Sequence, residues 1–136
     1  MAIVADADAA TADAAAIGVE ILIGGAGADA LSTSGAQGVV LDGWAGDDAL
    51  TGGIGDDLLI GGDGNDVLTS GGGVDLMVGG AGADLYVVDG AGTVIIDNAL
   101  GETGGASGTL RFADDWVAAS DLTIRRGETE DGTLTD

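Results

Sequence analysis

The chain has 136 residues, room for one modest domain, and sets twenty-four carboxylates against three arginines, with no lysine and a net charge of −21. That balance excludes nucleic acid, whose phosphates need clustered Lys and Arg. There is no run of ~18 apolar residues to span a bilayer, and no cysteine to build disulfides or thiolate chemistry. Yet the chain is 46% hydrophobic, which is wrong for a disordered polyanion, so it is expected to fold around cations that relieve its self-repulsion.

Residues 1–16 (MAIVADADAATADAAA) are rich in Ala and Asp and lack the basic flank and apolar core of a secretory signal peptide. They are expected to form either a frayed acidic tail or a cap over the first coil, with Thr11 or Asp13 starting a short helix that Gly18 ends. Ile17 to Ile23 reads as a strand with apolar residues dense enough for burial on both faces. From Gly24 a nine-residue unit takes over. GGAGADALS is followed by a ten-residue segment, Thr33 to Asp42, with Gly38 where an aspartate is expected, and then by GWAGDDALT, GGIGDDLLI, GGDGNDVLT, SGGGVDLMV and GGAGADLYV. The sixth place holds Asp29, Asp48, Asp57, Asp66, Asp75 and Asp84, and the eighth holds Leu31, Leu50, Leu59, Leu68, Met77 and Tyr86. Val88 to Ile96 keeps the length, with Thr93 in the acidic place and Ile95 in the apolar one. Beyond it, Thr109–Phe112 and Leu122–Arg126 alternate as half-buried strands do, flanking a turn that presents Trp116.

Glycines in the first, second and fourth places make six residues of each unit a turn, and the remaining three a strand whose centre points opposite to its flanks. Two units form one flattened coil of eighteen residues, and each strand is expected to pair in parallel with the strand eighteen residues on. Large eighth-place residues then fill a narrow core, with Leu58 and Ile60 facing out on either side of Leu59. Stacking puts Asp48, Asp66 and Asp84 on one edge, joined by Asp29, and Asp57 and Asp75 on the other. Rows of like charge at a strand spacing of ~4.8 Å repel. A hard divalent cation between turns reverses the sign, and calcium, which accepts carboxylates and carbonyls in flexible geometry, suits the slot better than magnesium or zinc.

The unit resembles GGxGxDxUx, with U large and apolar: the nonapeptide of the RTX, or haemolysin-type, calcium-binding repeat family. The resemblance implies an all-β fold, a parallel β-roll (a β-solenoid) over 17–96 with several Ca2+ ions between successive turns. Residues 97–136 become a C-terminal β cap, similar to the segment that often follows such repeats. It also implies the ligands: the aspartates Asp29, Asp48, Asp57, Asp66, Asp75 and Asp84, with turn carbonyls from Gly43, Gly52, Gly53, Gly55, Gly61, Gly62, Gly64, Gly79, Gly80 and Gly82. Family members are typically exported by a type I secretion machine that reads an uncleaved C-terminal signal. A secreted, extracellular or cell-surface protein is therefore expected.

With no His, Cys or Lys, the usual bases and nucleophiles are missing, and no enzyme activity is expected. The leading expectation is a non-catalytic roll that folds on binding calcium after export. A calcium-dependent self-assembling component of a fibre, surface layer or adhesin is the alternative, and a carbohydrate-binding module using Trp44 is a third. Trp44, in a glycine place, is expected to project outward and pack on an adjacent loop.

Overall fold

A computed structural model describes residues 2–4, 11–18, 20–97 and 108–112. Among them the chain forms β1 (Ala2–Val4), β2 (Thr11–Asp13), a four-residue helix α1 (Ala14–Ile17), β3 (Ile21–Ile23), β4 (Ala30–Ser32), β5 (Val40–Ala45), β6 (Ala49–Thr51), β7 (Leu58–Asp63), β8 (Val67–Thr69), β9 (Gly73–Ala81), β10 (Leu85–Val88), β11 (Gly92–Asp97) and β12 (Thr109–Phe112). Successive strands go to opposite sheets. One sheet runs β1-β3-β5-β7-β9-β11 and the other β2-β4-β6-β8-β10-β12, with every pairing parallel. This is the expected β-roll.

The core follows from the one large residue per strand that points inward. Leu22, Leu41, Leu59 and Met77 stack in register in the first sheet, and Leu31, Leu50, Leu68 and Tyr86 in the second. All eight are buried. At about 1.5–3 kcal/mol for each fully buried apolar side chain, this double column is the apolar driving force of the fold.

Strand β3 is shorter than the expected Ile17–Ile23. Asp13 Oδ1 accepts the Ala15 N–H at 2.9 Å and caps α1, and Gly18, with φ of 71°, ends it. Burial on both faces does not hold there either, since Leu22 is buried while Ile21 stays exposed.

The step between paired strands is eighteen residues in the middle (Val40 on Leu58, Leu58 on Leu76) and nineteen where an extra residue enters (Ile21 on Val40, Ala30 on Ala49, Leu76 on Ile95). Both extra residues lie in turns, and this corrects two positions. Val39, not Gly38, stands in the aspartate column, its N–H donating to Asp57 Oδ1 at 2.9 Å. Val94, not Thr93, pairs with Asp75, and Ile96, not Ile95, pairs with Met77. Ile95 is 54% exposed, whereas Ile96 packs on the core. The core decides the frame: a turn lengthens at little cost, but a one-residue slip in a strand would turn its apolar residue out to water.

The outer faces differ. The first sheet carries an apolar column, Ile21, Val40, Leu58, Leu76 and Ile95, beside Ile23, Asp42, Ile60, Val78 and Asp97. The second carries mainly small and hydroxyl residues, including Ala30, Ala49, Ser32, Thr51 and Thr69. Leu58 and Ile60 flank the buried Leu59 and are half-buried, facing out as expected. In the second sheet Phe112 pairs with Val88 and is half-buried, while Trp116 and Leu122–Arg126 lie outside the described residues.

Candidate metal centre

Each turn from the first sheet to the second begins with glycine and ends with aspartate: Gly24–Asp29, Gly43–Asp48, Gly61–Asp66 and Gly79–Asp84. The return turns are less regular: Thr33 begins one that ends at Val39, Gly52 leads to Asp57, and Ser70 leads to Asp75. All six aspartates are buried. One oxygen of each is used in the same way where the register allows. Asp48 Oδ1 accepts the Asp29 N–H at 2.8 Å, Asp66 Oδ1 the Asp48 N–H at 2.8 Å, and Asp84 Oδ1 the Asp66 N–H at 3.0 Å. On the other edge Asp75 Oδ1 accepts the Asp57 N–H at 2.9 Å. The carboxylates thus splice the turn backbones, and Asp29 joins its row across the lengthened coil.

The second oxygen is the informative one. Asp29 Oδ2 accepts the Gly25 N–H at 2.6 Å and Asp57 Oδ2 the Gly53 N–H at 2.8 Å. The Oδ2 atoms of Asp48, Asp66, Asp75 and Asp84 are buried with no hydrogen-bond partner. An orphaned carboxylate oxygen in an apolar setting is costly. Burial, reinforced by the facing Asp48 and Asp84 carboxylates, pushes Asp66 up to about 6. Burial likewise raises Asp48, Asp75 and Asp84, and outside the rows Asp42. Tyr86, also buried, is pushed up to about 12.

Glycine shapes the space in front of those oxygens. A Cβ on Gly43 would strike Asp48 Oδ2 and the Gly61 carbonyl, and one on Gly61 would strike Asp66 Oδ2 and the Gly79 carbonyl. Gly24 has the same relation to Asp29 Oδ2 and the Gly43 carbonyl. Gly52 faces the Ser70 carbonyl and Asp57 Oδ2. The missing side chain leaves a cradle between a carboxylate oxygen of one coil and a carbonyl oxygen of the next. A different set keeps the turns close. Gly62, Gly64, Gly80 and Gly82 have φ of 110°, 140°, 96° and 134°, and a Cβ on any of them would strike a carbonyl of the preceding coil. Gly53 and Gly55 face Gly35 and Gln37 in the same manner.

Among the described residues no three His, Cys, Asp or Glu side chains gather into one cluster. The donors are oxygens only, one carboxylate joined by backbone carbonyls, and that mixture suits a hard, flexible cation such as calcium. The orphaned Oδ2 atoms and the side-chain-free cradles therefore fit the expected ion.

Three features escaped the sequence reading. Gly24 forms a cradle like those of Gly43 and Gly61, which its place in GGAGADALS signalled. The fifth-place residues do more than shape turns: Asp47 Oδ1 accepts the Asn65 N–H at 2.8 Å, Asn65 Oδ1 the Ala83 N–H at 3.0 Å, and Asp56 Oδ1 the Val74 N–H at 2.8 Å. They form an outer splice that runs in the opposite sense to the inner one, the earlier coil accepting from the later. Trp44 aligns with Gly62 and has φ of 76°, a glycine conformation. It projects outward but remains 62% exposed, so the expected packing on an adjacent loop does not cover it.

No curated protein and no solved structure gives a match to the chain. The signature of a four-copy RTX calcium-binding nonapeptide repeat matches residues 16–36, 33–59 and 51–86, together more than half of the sequence. Phased glycine and aspartate, a two-sheet parallel roll and oxygen cradles between its coils converge with that match: the chain belongs to the RTX calcium-binding nonapeptide repeat family.

Proposed function

We propose that this protein is a secreted, non-catalytic calcium-dependent β-roll, poorly folded without the ion and folded once it reaches calcium outside the cell. The orphaned Oδ2 atoms carry this reading. Asp29, Asp48 and Asp66 would hold ions with the carbonyls of Gly43, Gly61 and Gly79, and Asp57 would do so with that of Ser70. Asp75 supplies a further carboxylate. Bound calcium would supply positive charge to buried carboxylates that otherwise repel, so binding free energy becomes folding free energy. Export by a type I machine fits a chain that stays unfolded inside and locks outside. Far-UV circular dichroism tests this directly. The expected result is little sheet signal in excess EGTA and a cooperative gain on adding calcium; a full sheet signal in the chelator would refute the reading.

A second reading rests on the apolar column Ile21, Val40, Leu58, Leu76 and Ile95 on the outer face of the first sheet. Patches of this kind mark contact surfaces, and self-association in calcium would make the roll a structural component. Light scattering and electron microscopy in calcium separate the two, since discrete monomers leave only the first.

A further inference from the structure

The outer face of the first sheet is apolar except at one point. Across β5, β7 and β9 its two adjoining columns are Val40, Leu58 and Leu76, and Asp42, Ile60 and Val78. Among these six Asp42 alone is charged. It lies between Ile23 and Ile60 on the neighbouring strands and is half-buried, and that burial raises its pKa, as expected of a carboxylate short of water. A carboxylate set among aliphatic side chains is costly unless a cation reaches it. The chain has no lysine, and Arg111, the one arginine among the described residues, pairs with Val87 in the other sheet. Two residues along the same strand, Trp44 stands 62% exposed with φ of 76°, in a column where the next coils place Gly62 and Gly80. A tryptophan in a glycine conformation keeps an aromatic face in water at a cost in strain. Neither Asp42 nor Trp44 belongs to the core or to the aspartate rows.

We propose that this face docks a segment of a partner protein whose apolar side chains flank one lysine or arginine. The aliphatic columns take the apolar groups, Asp42 takes the cation, and Trp44 offers its ring beside it. The inference rests on the contact-surface reading above and names a partner of opposite charge in place of a second copy. Charge decides between the two. A second copy brings another net charge of −21, a second Asp42 to the same face, and no lysine. An anionic membrane surface is repelled for the same reason.

The test uses the full chain in calcium and, as probe, a synthetic amphipathic helical peptide with a stripe of leucines and one lysine set within it. Titration calorimetry compares it with the same peptide carrying norleucine, and then glutamate, in place of the lysine. Binding is expected to weaken about tenfold with norleucine and further with glutamate. Asp42→Asn is expected to weaken the lysine peptide about tenfold and to make the lysine and norleucine peptides equivalent. Leu76→Ser should weaken all three. Circular dichroism in calcium checks that each variant is folded, and the peptide series on the parent needs no variant at all. Equal binding of the lysine and norleucine peptides to the parent, or an Asp42→Asn chain that still distinguishes them, would overturn the proposal and leave a plain apolar contact surface. Calcium-dependent dimers that Leu76→Ser dissolves, read by light scattering, would overturn it in favour of a second copy. If no peptide binds and the chain stays monomeric, the contact-surface reading fails together with the inference.

Discussion

The two edges of the roll have the same sixth-place chemistry and unequal capacity for it. On one, Asp29, Asp48, Asp66 and Asp84 run without interruption, each opposite a first-place glycine. On the other, Asp57 and Asp75 lie between Val39 and Val94, and only Gly52 opens a cradle, between Thr33 and Ser70. On the calcium reading proposed above, an aspartate alone would not make a site: the position would need a carboxylate oxygen and also an absent side chain through which a carbonyl of the next coil can face it.

Substitution at the cradle should show this most clearly. Gly61→Ala puts a methyl against Asp66 Oδ2 and the Gly79 carbonyl. It is expected to raise the calcium concentration for half-folding about a hundredfold, or ~2.7 kcal/mol. Ser70→Ala, on the other edge, keeps a Cβ that is already present and loses the buried hydroxyl's bonds to the Asp89 backbone, so it should shift the midpoint about fivefold, near 1 kcal/mol. Circular dichroism titrations of the two variants side by side check the contrast.

The next expected effect comes from adding charge without a hole. Val39→Asp extends the short row beneath Asp57 while Thr33 still occupies the first place, so it should raise the calcium midpoint about tenfold, near 1.4 kcal/mol. Adding Thr33→Gly should recover most of that loss and take up one more ion by mass spectrometry. A single variant that binds more ions unaided would show that charge alone is sufficient.

Protons should imitate calcium weakly. Burial raises Asp48, Asp66, Asp75 and Asp84 above their unfolded values, Asp66 to about 6, so the folded state binds more protons than the unfolded one. Without calcium, the resulting stabilisation is present below the ordinary carboxylate value of ~3.9 and is lost as pH rises through about 6. Sheet signal in EGTA should therefore grow as pH falls from 7.5 to 4, and Asp66→Asn should flatten the upper part of that rise.

The smallest effect concerns the backbone alone. Trp44→Gly relieves a positive φ and touches neither row, so it should stabilise the calcium-loaded roll by about 1 kcal/mol, read as a rise in melting temperature.

The period, the two aspartate rows and the inward column were legible because one nine-residue rule generates all three, and Asp66 with Leu68 states it completely. The frame at the two long segments was not. Sequence spacing does not say where an extra residue goes, and the answer came from Leu41 and Ile96 keeping their inward places at the expense of the turns. The glycine-led cradles were partly legible, since the first-place letters Thr33, Gly52 and Ser70 already separate one edge from the other. Tyr86 read as core, and core it is, but the reach of its hydroxyl to Gly79 depends on the distance from column to edge, which spacing does not state. Exposure of Trp44 was equally hidden, because it depends on what the neighbouring coils leave uncovered.

The backbone splice has a direction. Each sixth-place carboxylate from Asp48 to Asp84 grips the N–H of the coil before it, whereas the fifth-place Asp47 and Asp56 grip that of the coil after. The buried inner splice of a turn is therefore closed by its C-terminal neighbour and the exposed outer one by its N-terminal neighbour. A chain threaded out with its C-terminal residues leading presents each inner acceptor before the donor that needs it. One emerging from the other end must leave each inner splice open until the next coil has followed.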